Sequence, residues 1–510
     1  MGRLVRTALV LFFVWLTVRH WHPYYGFTRF LQCDPAAEAV MLPSLREARI
    51  YVHPDPGSYD GFFYAQLATS PGLHDPALRT AIDDLGYRSR RILLSATAWL
   101  LGRGEPVSAA RIYAWLNVVG WLILASVLWR VFPVSDARST FAWAGVLFST
   151  GVLFSVRLAL PDLTALLLIA VAALQMEQGR RWWAAGFIGL AGLARETALL
   201  GIVALLPAGR ISRRELLLTA GAMLVALLPL ALWLIHVWTL VGSSGAGLRN
   251  FAWPLQGWFK KAGDLWHAWQ FESNRPVVVT TVLSFVSLPV QLIFVAMKPA
   301  ARSPFWRTGA AFGVLMLCLG PAVWGDDLPG AAFRLLLPLT LAFNVVAVRR
   351  RAAWVVLLLG NLSVGGGVLT MWLVPRDAHE VASGRFQGGA YVMHSSATWF
   401  PAEGRRNQTW AWCPQDGSVT LETWPRKNVP LRVALAFRGF TSRNLEVSQS
   451  GRFLWRGIAT EKVEWINVTA LPNAKGQYEF TFHSDTAPGH ENPQAGGRPL
   501  GFALSGVKLE

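Results

Sequence analysis

The chain has 510 residues, of which 53% are hydrophobic and 15% charged, with a formal net charge of +17. An ordinary soluble domain carries about 25% charged residues; here the apolar residues gather in long runs, which excludes a soluble globular protein and points to a polytopic membrane protein. The positive charge does not indicate nucleic acid, because the arginines cluster at the ends of apolar runs, where they set orientation and meet anionic lipid.

Arg3 and Arg6 precede an apolar run over 7–18, extended by Trp21 and Tyr24, which suit a membrane interface. No small-residue cleavage site follows, so this run is expected to be an uncleaved span. A polar loop over 23–91 comes next, and 92–101, too short to cross, is expected to pack as a short helix at the outer surface. Further spans are predicted at 111–129, 140–156 and 160–174, then a pair of half-length segments at 183–193 and 197–206, then 216–240. A second polar loop over 242–276 leads to spans at 277–297, 308–323, 333–348 and 354–374. With the half-length pair taken as a hairpin, the count is about eleven membrane segments.

The short loops fix the orientation. With the N-terminus inside, the inner loops hold Arg130 and Arg138, Arg180 and Arg181, Arg210, Arg213 and Arg214, Lys298, Arg302 and Arg307, and Arg349, Arg350 and Arg351, so each is basic. Treating 183–206 as one span would put the three-arginine loop outside, so the hairpin is preferred. Both long loops and the region 375–510 then lie on the outer face.

In that last region the periodicity changes. Leu431, Val433, Leu435 and Phe437 alternate with smaller or polar residues, as do Tyr478, Phe480 and Phe482, and turn residues separate such runs. The pattern is that of an all-β sandwich over 375–510, following a membrane part over 1–374. Strands are expected at 418–424, 431–437, 445–449, 452–455, 463–468, 478–482 and 500–507. Of the three cysteines, Cys33 and Cys413 fall outside the membrane, and the sequence leaves their pairing open, two free thiols being favoured.

Chemistry concentrates in the first outer loop. Tyr59, Phe62, Phe63 and Gln66 fall at helical spacing after Ser58, so Ser58 is expected to cap a short helix with Asp60 in its first turn. Backbone N–H groups there favour an ionised carboxylate, making Asp60 the candidate base and Asp55 the reserve. The same loop holds Tyr87, Arg88, Arg90 and Arg91. A carboxylate beside guanidinium groups suits transfer of a group from a phosphate leaving group: the base takes the proton of an attacking hydroxyl and the cations stabilise the departing phosphate. The alternative is that the arginines anchor 92–101 against headgroups and Asp60 only caps a helix.

Charges at other outer turns converge on this face. Arg157 and Asp162 flank one turn, Arg195 and Glu196 sit at the hairpin apex, and Asp326, Asp327 and Arg334 lie at another; half-length segments would leave the apex charges below the surface, in need of partners or a water-filled cavity. The loop over 242–276 mixes Trp258, Lys260, Lys261 and Trp266, which fits either binding of a sugar or lipid phosphate or an interfacial helix with a Trp belt. Candidates for the donor phosphate are therefore Arg88, Arg90, Arg91, Arg195, Lys260 and Lys261. Candidates for contacts to acceptor or sugar are Tyr59, Tyr64, Glu196, Trp258, Asp326 and Asp327. No metal site or cofactor is assigned, although Asp326 and Asp327 with Asp60 are the right kind of ligand for a divalent cation.

The run Tyr59-Asp60-Gly61-Phe62-Phe63-Tyr64, with Leu67-Ala68, Asp75-Pro76 and Tyr87-Arg88-Ser89-Arg90-Arg91-Ile92 after it, resembles the first outer loop of GT-C-type, polyprenyl-phosphate-dependent bacterial membrane glycosyltransferases. The hairpin around Leu193-Ala194-Arg195-Glu196-Thr197 and the C-terminal sandwich fit the same group. The resemblance implies inverting transfer of a sugar from a polyprenyl-phosphate donor to a glycan, lipid or protein acceptor hydroxyl, at the outer face of a bacterial inner membrane, with Asp60 as base. Many relatives have a second acid beside the first; Gly61 stands there instead, which departs from a family-style metal site. The sandwich resembles carbohydrate-binding modules, with Trp399, Trp410, Trp412 and Trp424 available to stack on sugar.

Other classes predict other patterns. A glycan polymerase or ligase is expected to carry its large loop late in the chain, and a lipid-linked sugar transporter to carry mid-membrane polar residues and two related halves. Neither pattern is present. A non-catalytic glycan-binding membrane protein would leave Asp60 dispensable.

Overall fold

The computed structural model describes residues 2–509 apart from 54–56, 208–211, 243–246, 248–249, 326–328, 376, 397, 406–407 and 492–496. A helical N-terminal region is followed by a C-terminal β-sheet region. Three helices, Pro106–Val131, Arg213–Val241 and Arg275–Met297, are long and apolar enough to cross a membrane. Two bent pairs, Ala137–Leu147 with Thr150–Arg157 and Trp354–Gly360 with Val364–Trp372, make five if each is one span. Eleven segments is therefore more than length and composition alone support. The outward side of Arg213–Val241 carries exposed Leu217, Leu224, Leu232, Ile235 and Trp238, a surface suited to lipid rather than water.

The remaining apolar segments are shorter helices packed into the same core. The expected hairpin is present as helix Arg181–Ala194 and a 3₁₀ helix Glu196–Leu205, and the chain reverses at Arg195, whose backbone is extended (φ −156°, ψ 127°). Both arms pack on helix Asp162–Glu177. The short helix expected after residue 91 is Leu93–Leu101. In the second long loop, Gln256–Phe271 is a helix with Phe259, Trp266, Trp269 and Phe271 exposed, as an interfacial helix requires.

Strands β1 (Glu380–Phe386), β2 (Gly389–Ser395), β5 (Asp416–Trp424), β7 (Arg443–Gln449), β8 (Arg452–Ala459) and β10 (Tyr478–His483) form one antiparallel sheet in the order β1-β2-β5-β10-β7-β8. A second sheet runs β3-β4-β13-β6-β9, from Glu403–Arg405, Gln408–Cys413, Phe502–Leu509, Leu431–Gly439 and Glu464–Ala470. Gly489–His490 (β11) pairs with Pro499–Leu500 (β12). Val433, Leu435 and Phe437 of β6 meet Tyr478, Phe480 and Phe482 of β10 in one buried core, because strand alternation sends each set to the inner face. Cys33 and Cys413 are free and buried in separate cores.

The sheets dock on the long loop over 23–91. Val52 N–H donates to Asp377 Oδ2 at 2.9 Å and Val52 O accepts from Ala378 N–H at 2.7 Å. Glu422 accepts from Tyr24 Oη at 2.9 Å and pairs with Arg49 at 3.1 Å, while Glu38 meets His379 at 2.8 Å. The loop that carries Asp60 is thus tied to the β-sheet region through Tyr24, Glu38, Arg49 and Val52.

Gly61 sets how closely that loop approaches the helices. A Cβ there would run into the carbonyl oxygen of Leu158 and press on Ala159, just past helix Thr150–Arg157. Gly61→Ala is therefore expected to destabilise the protein by about 1–3 kcal/mol, read as a lowered thermal unfolding midpoint in detergent; an unchanged midpoint would contradict the close approach.

Candidate active site

Asp60 is the first residue of helix Asp60–Leu67, behind an extended Tyr59, so its carboxylate stands at the helix start as expected. The expected cap does not form. Ser58 Oγ donates to Asp34 Oδ1 at 2.7 Å and accepts from Asp34 N–H at 3.0 Å, because Asp34 gathers the loop. Its carboxylate also accepts from the N–H groups of Ala37 and Gly57, at 2.8 and 2.7 Å.

Around Asp60 the arginines and carboxylates form one connected chain. Arg88 Nη1 is 2.6 Å from Asp60 Oδ1, and the same guanidinium forks onto Asp83 through Nε at 3.0 Å and Nη2 at 2.8 Å. Arg334 Nη2 is 3.8 Å from Asp60 Oδ2 and donates to Tyr59 Oη at 3.1 Å; its Nη1 reaches Asp162 Oδ2 at 3.1 Å. The other oxygen of Asp162 pairs with Arg195. Beside this chain Arg91 donates to Glu196 at 2.9 Å, to Tyr64 Oη at 2.9 Å and to Tyr87 Oη at 2.7 Å. Four guanidinium groups thus meet four carboxylates.

Burial by itself would raise the pKa of Asp60, but the positive charges of Arg88, Arg334 and Arg91 outweigh it and hold the carboxyl below its ordinary value. For Arg88 burial favours the neutral form, yet the hydrogen bonds to Asp83 and the charge of Asp60 prevail and raise its pKa. Both stay ionised across the physiological range.

Asp60 opens onto a cavity of about 740 Å³. Tyr59, Asp60 and Arg157 line it, together with Thr281 and Ser284 of helix Arg275–Met297 and Leu369 and Thr370 of helix Val364–Trp372. A carboxylate facing a part-apolar, part-hydroxyl cavity can orient and deprotonate an attacking hydroxyl.

The structure gathers Tyr59, Asp60, Tyr64, Arg88, Arg91, Arg195 and Glu196, from three separate stretches of sequence. It corrects how the arginines stand: Arg88, Arg91 and Arg195 are each matched by a carboxylate, since buried guanidinium groups need counter-charges. Arg90 lies 5.8 Å from the Tyr87 ring. Lys260 pairs with Asp264 at 2.8 Å, buried Lys261 donates to Gly325 O at 2.9 Å, and Trp258 stacks on Phe285 with ring centroids 5.0 Å apart. Asp55, Asp326 and Asp327 lie outside the described residues. Among the described residues no group of three His, Cys, Asp or Glu side chains is arranged for a metal ion. In the sandwich, Trp399 is buried edge-on to Phe482 and Phe502, Trp412 is buried, and Trp424 is exposed, so the four tryptophans make no common platform.

Residues outside the sequence-based candidate set complete the network: Asp83, Asp162 and Arg334. Asp162 is 3% exposed yet charged; its signal in sequence was a carboxylate at a span edge close to an arginine, and its partners sit 33 and 172 residues away.

No family model matches the chain, and no curated protein matches it. Among solved structures, the chain matches the arabinosyltransferase EmbB from Mycobacterium smegmatis with 11% identity, covering 93% of this chain and 67% of that chain, at a TM-score of 0.20. A superposition that loose carries no argument, and the functional conclusion rests on the site.

Asp162→Asn removes the shared counter-charge of Arg195 and Arg334 and is expected to destabilise the protein by about 3–5 kcal/mol, the usual effect of breaking a buried pair. Thermal unfolding in detergent measures it; a midpoint equal to wild type would mean that Asp162 does not bind the two arginines together.

Proposed function

We propose that the protein is a GT-C-type membrane glycosyltransferase that moves a sugar, with inversion, from a polyprenyl-phosphate donor to an acceptor hydroxyl at the outer face of a bacterial inner membrane. The observation that carries this reading is Asp60: an ionised carboxylate, fixed by Arg88 and Arg334, at the side of a cavity that reaches between membrane helices. The first-loop motif resemblance agrees with it. In this reading residues 1–374 are the membrane part with about eleven segments and a cytoplasmic N-terminus, and 375–510 lie outside.

In the step, the acceptor hydroxyl donates a hydrogen bond to Asp60 and its oxygen attacks the anomeric carbon from the side opposite the phosphate. The bond from that carbon to the phosphate oxygen breaks, the lipid phosphate leaves with the electron pair, and the hydroxyl proton passes to Asp60. A carboxylate of lowered pKa is a weak base, so the proton moves as the new bond forms rather than before it. Tyr59 and Tyr64 hold Arg334 and Arg91 in register, keeping Asp60 aimed.

The pH dependence follows in sign. Asp60 titrates below the ordinary aspartate value of about 3.9, so turnover should not fall on this residue's account until the medium is more acidic than that. Asp60→Asn should lower turnover of a polyprenyl-phosphate sugar by about 10²–10⁴-fold, with donor binding retained, since Arg88 keeps Asp83. Assay of purified protein against a donor panel tests this; undiminished turnover by the variant would overturn the assignment and leave a glycan-binding role.

A further inference from the structure

The four guanidinium groups of the network are satisfied by carboxylates, which leaves the question of what meets a phosphate. Arg157 stands outside that network. It ends helix Thr150–Arg157, is only 7% exposed, and lines the same cavity as Asp60. Its one hydrogen-bonded partner among the described residues is the backbone carbonyl of Arg29, accepting from Nη1 at 2.9 Å, and no described carboxylate lies within ion-pair distance. The Arg29 side chain adds to the positive field: its guanidinium lies over the Tyr51 ring at 4.3 Å, its Nε is buried without a hydrogen-bond partner, and it makes no ion pair among the described residues. His53, 5% exposed and next to both, is pushed down to about 3 by burial and by the charge of Arg157, so it is neutral and adds no counter-charge.

A buried guanidinium with a carbonyl as its only partner is costly unless an anion reaches it. The geometry selects that anion's surroundings. Within the cavity that the two residues share, the Asp60 carboxylate repels a phosphate and the Arg157 guanidinium attracts one. Val277, Leu369 and Leu373 give the cavity an apolar stretch of lining suited to a hydrocarbon tail, and Leu373 is itself exposed.

We infer that Arg157 is the phosphate-binding cation of this cavity and that its ligand is the phosphate ester of an isoprenoid lipid. The inference rests on the glycosyltransferase reading for the sugar, but the anion site stands on Arg157 and the cavity alone. Arg88, Arg91 and Arg195 then position Asp60 rather than hold the donor.

The test uses the purified full chain in detergent, with farnesyl phosphate, farnesol and inorganic phosphate as probes and tryptophan fluorescence as the binding signal. Farnesyl phosphate is expected to bind wild type at least about tenfold more tightly than either farnesol or inorganic phosphate, a difference of about 1.4 kcal/mol. Arg157→Gln should remove the preference over farnesol and Arg157→Lys should keep part of it, while Asp60→Asn, which removes a repelling charge, should bind farnesyl phosphate at least as tightly as wild type. Because Arg157→Gln removes an unmatched buried charge, its unfolding midpoint should be no lower than wild type; a purely structural arginine would give a drop. Equal affinity of wild type for farnesyl phosphate and farnesol, or a full preference retained in Arg157→Gln, would overturn the site; inorganic phosphate binding as tightly as farnesyl phosphate would overturn the lipid ligand. If Asp60→Asn turns over donor normally while Arg157→Gln loses the phosphate preference, the catalytic reading fails and the anion site stands; the reverse pattern separates the two the other way.

Discussion

The structure depends on one buried exchange of charge. Asp60, Arg334 and Asp162 form a line in which Arg334 joins two carboxylates, and Arg88 and Arg195 close its ends. Such pairs add little net stability over apolar packing, because desolvation offsets most of the attraction. What they supply is position. Each member comes from a different segment, so the loop helix, the hairpin apex and the turn before helix Leu337–Arg349 cannot move independently without baring a charge. The carboxylate that faces the cavity is held by the same contacts that hold the segments together.

The outer sheets extend this constraint. Their contacts through Asp377, His379 and Glu422 fall on the loop residues 24–52, immediately before the Asp60 helix. Asp34 then fixes Gly57 and Ser58, the last turn of chain ahead of that helix. Through these contacts the β-sheet region limits where Asp60 can point. Gly61 is the complementary device: with a side chain absent, the loop lies against Leu158, and Asp60 and Arg157 come to border one cavity.

Much of the fold was legible. The apolar helices, the half-length hairpin and seven strands follow from hydrophobic period, which reports burial directly, although three to five helices rather than eleven segments are long and apolar enough to cross a membrane. The first four strands were not foreseen: β3 and β4 hold Gly404, Thr409 and Trp410 rather than an apolar alternation, and β1 exposes Ser383 and Arg385 around Gly384. In the site, Asp60 and the arginine-rich segment were evident because they lie within about thirty residues of each other. Their pairing was not, since the sign of a residue's surroundings is a tertiary property. Arg88 and Arg157 look alike in sequence; only the fold gives one two carboxylates and the other a carbonyl. Ser58 illustrates the same limit locally, its capping pattern overridden by Asp34, a residue 24 positions away.

In the proposed reaction one base and one leaving phosphate act in a single displacement, with one change of configuration at the anomeric carbon. The most direct measurement is the anomeric configuration of the product, determined by NMR after turnover of a polyprenyl-phosphate sugar of known configuration by the purified protein. Inversion is the predicted result; retention of configuration would require a covalent intermediate that Asp60, bound between Arg88 and Arg334, is not placed to form, and would contradict the account.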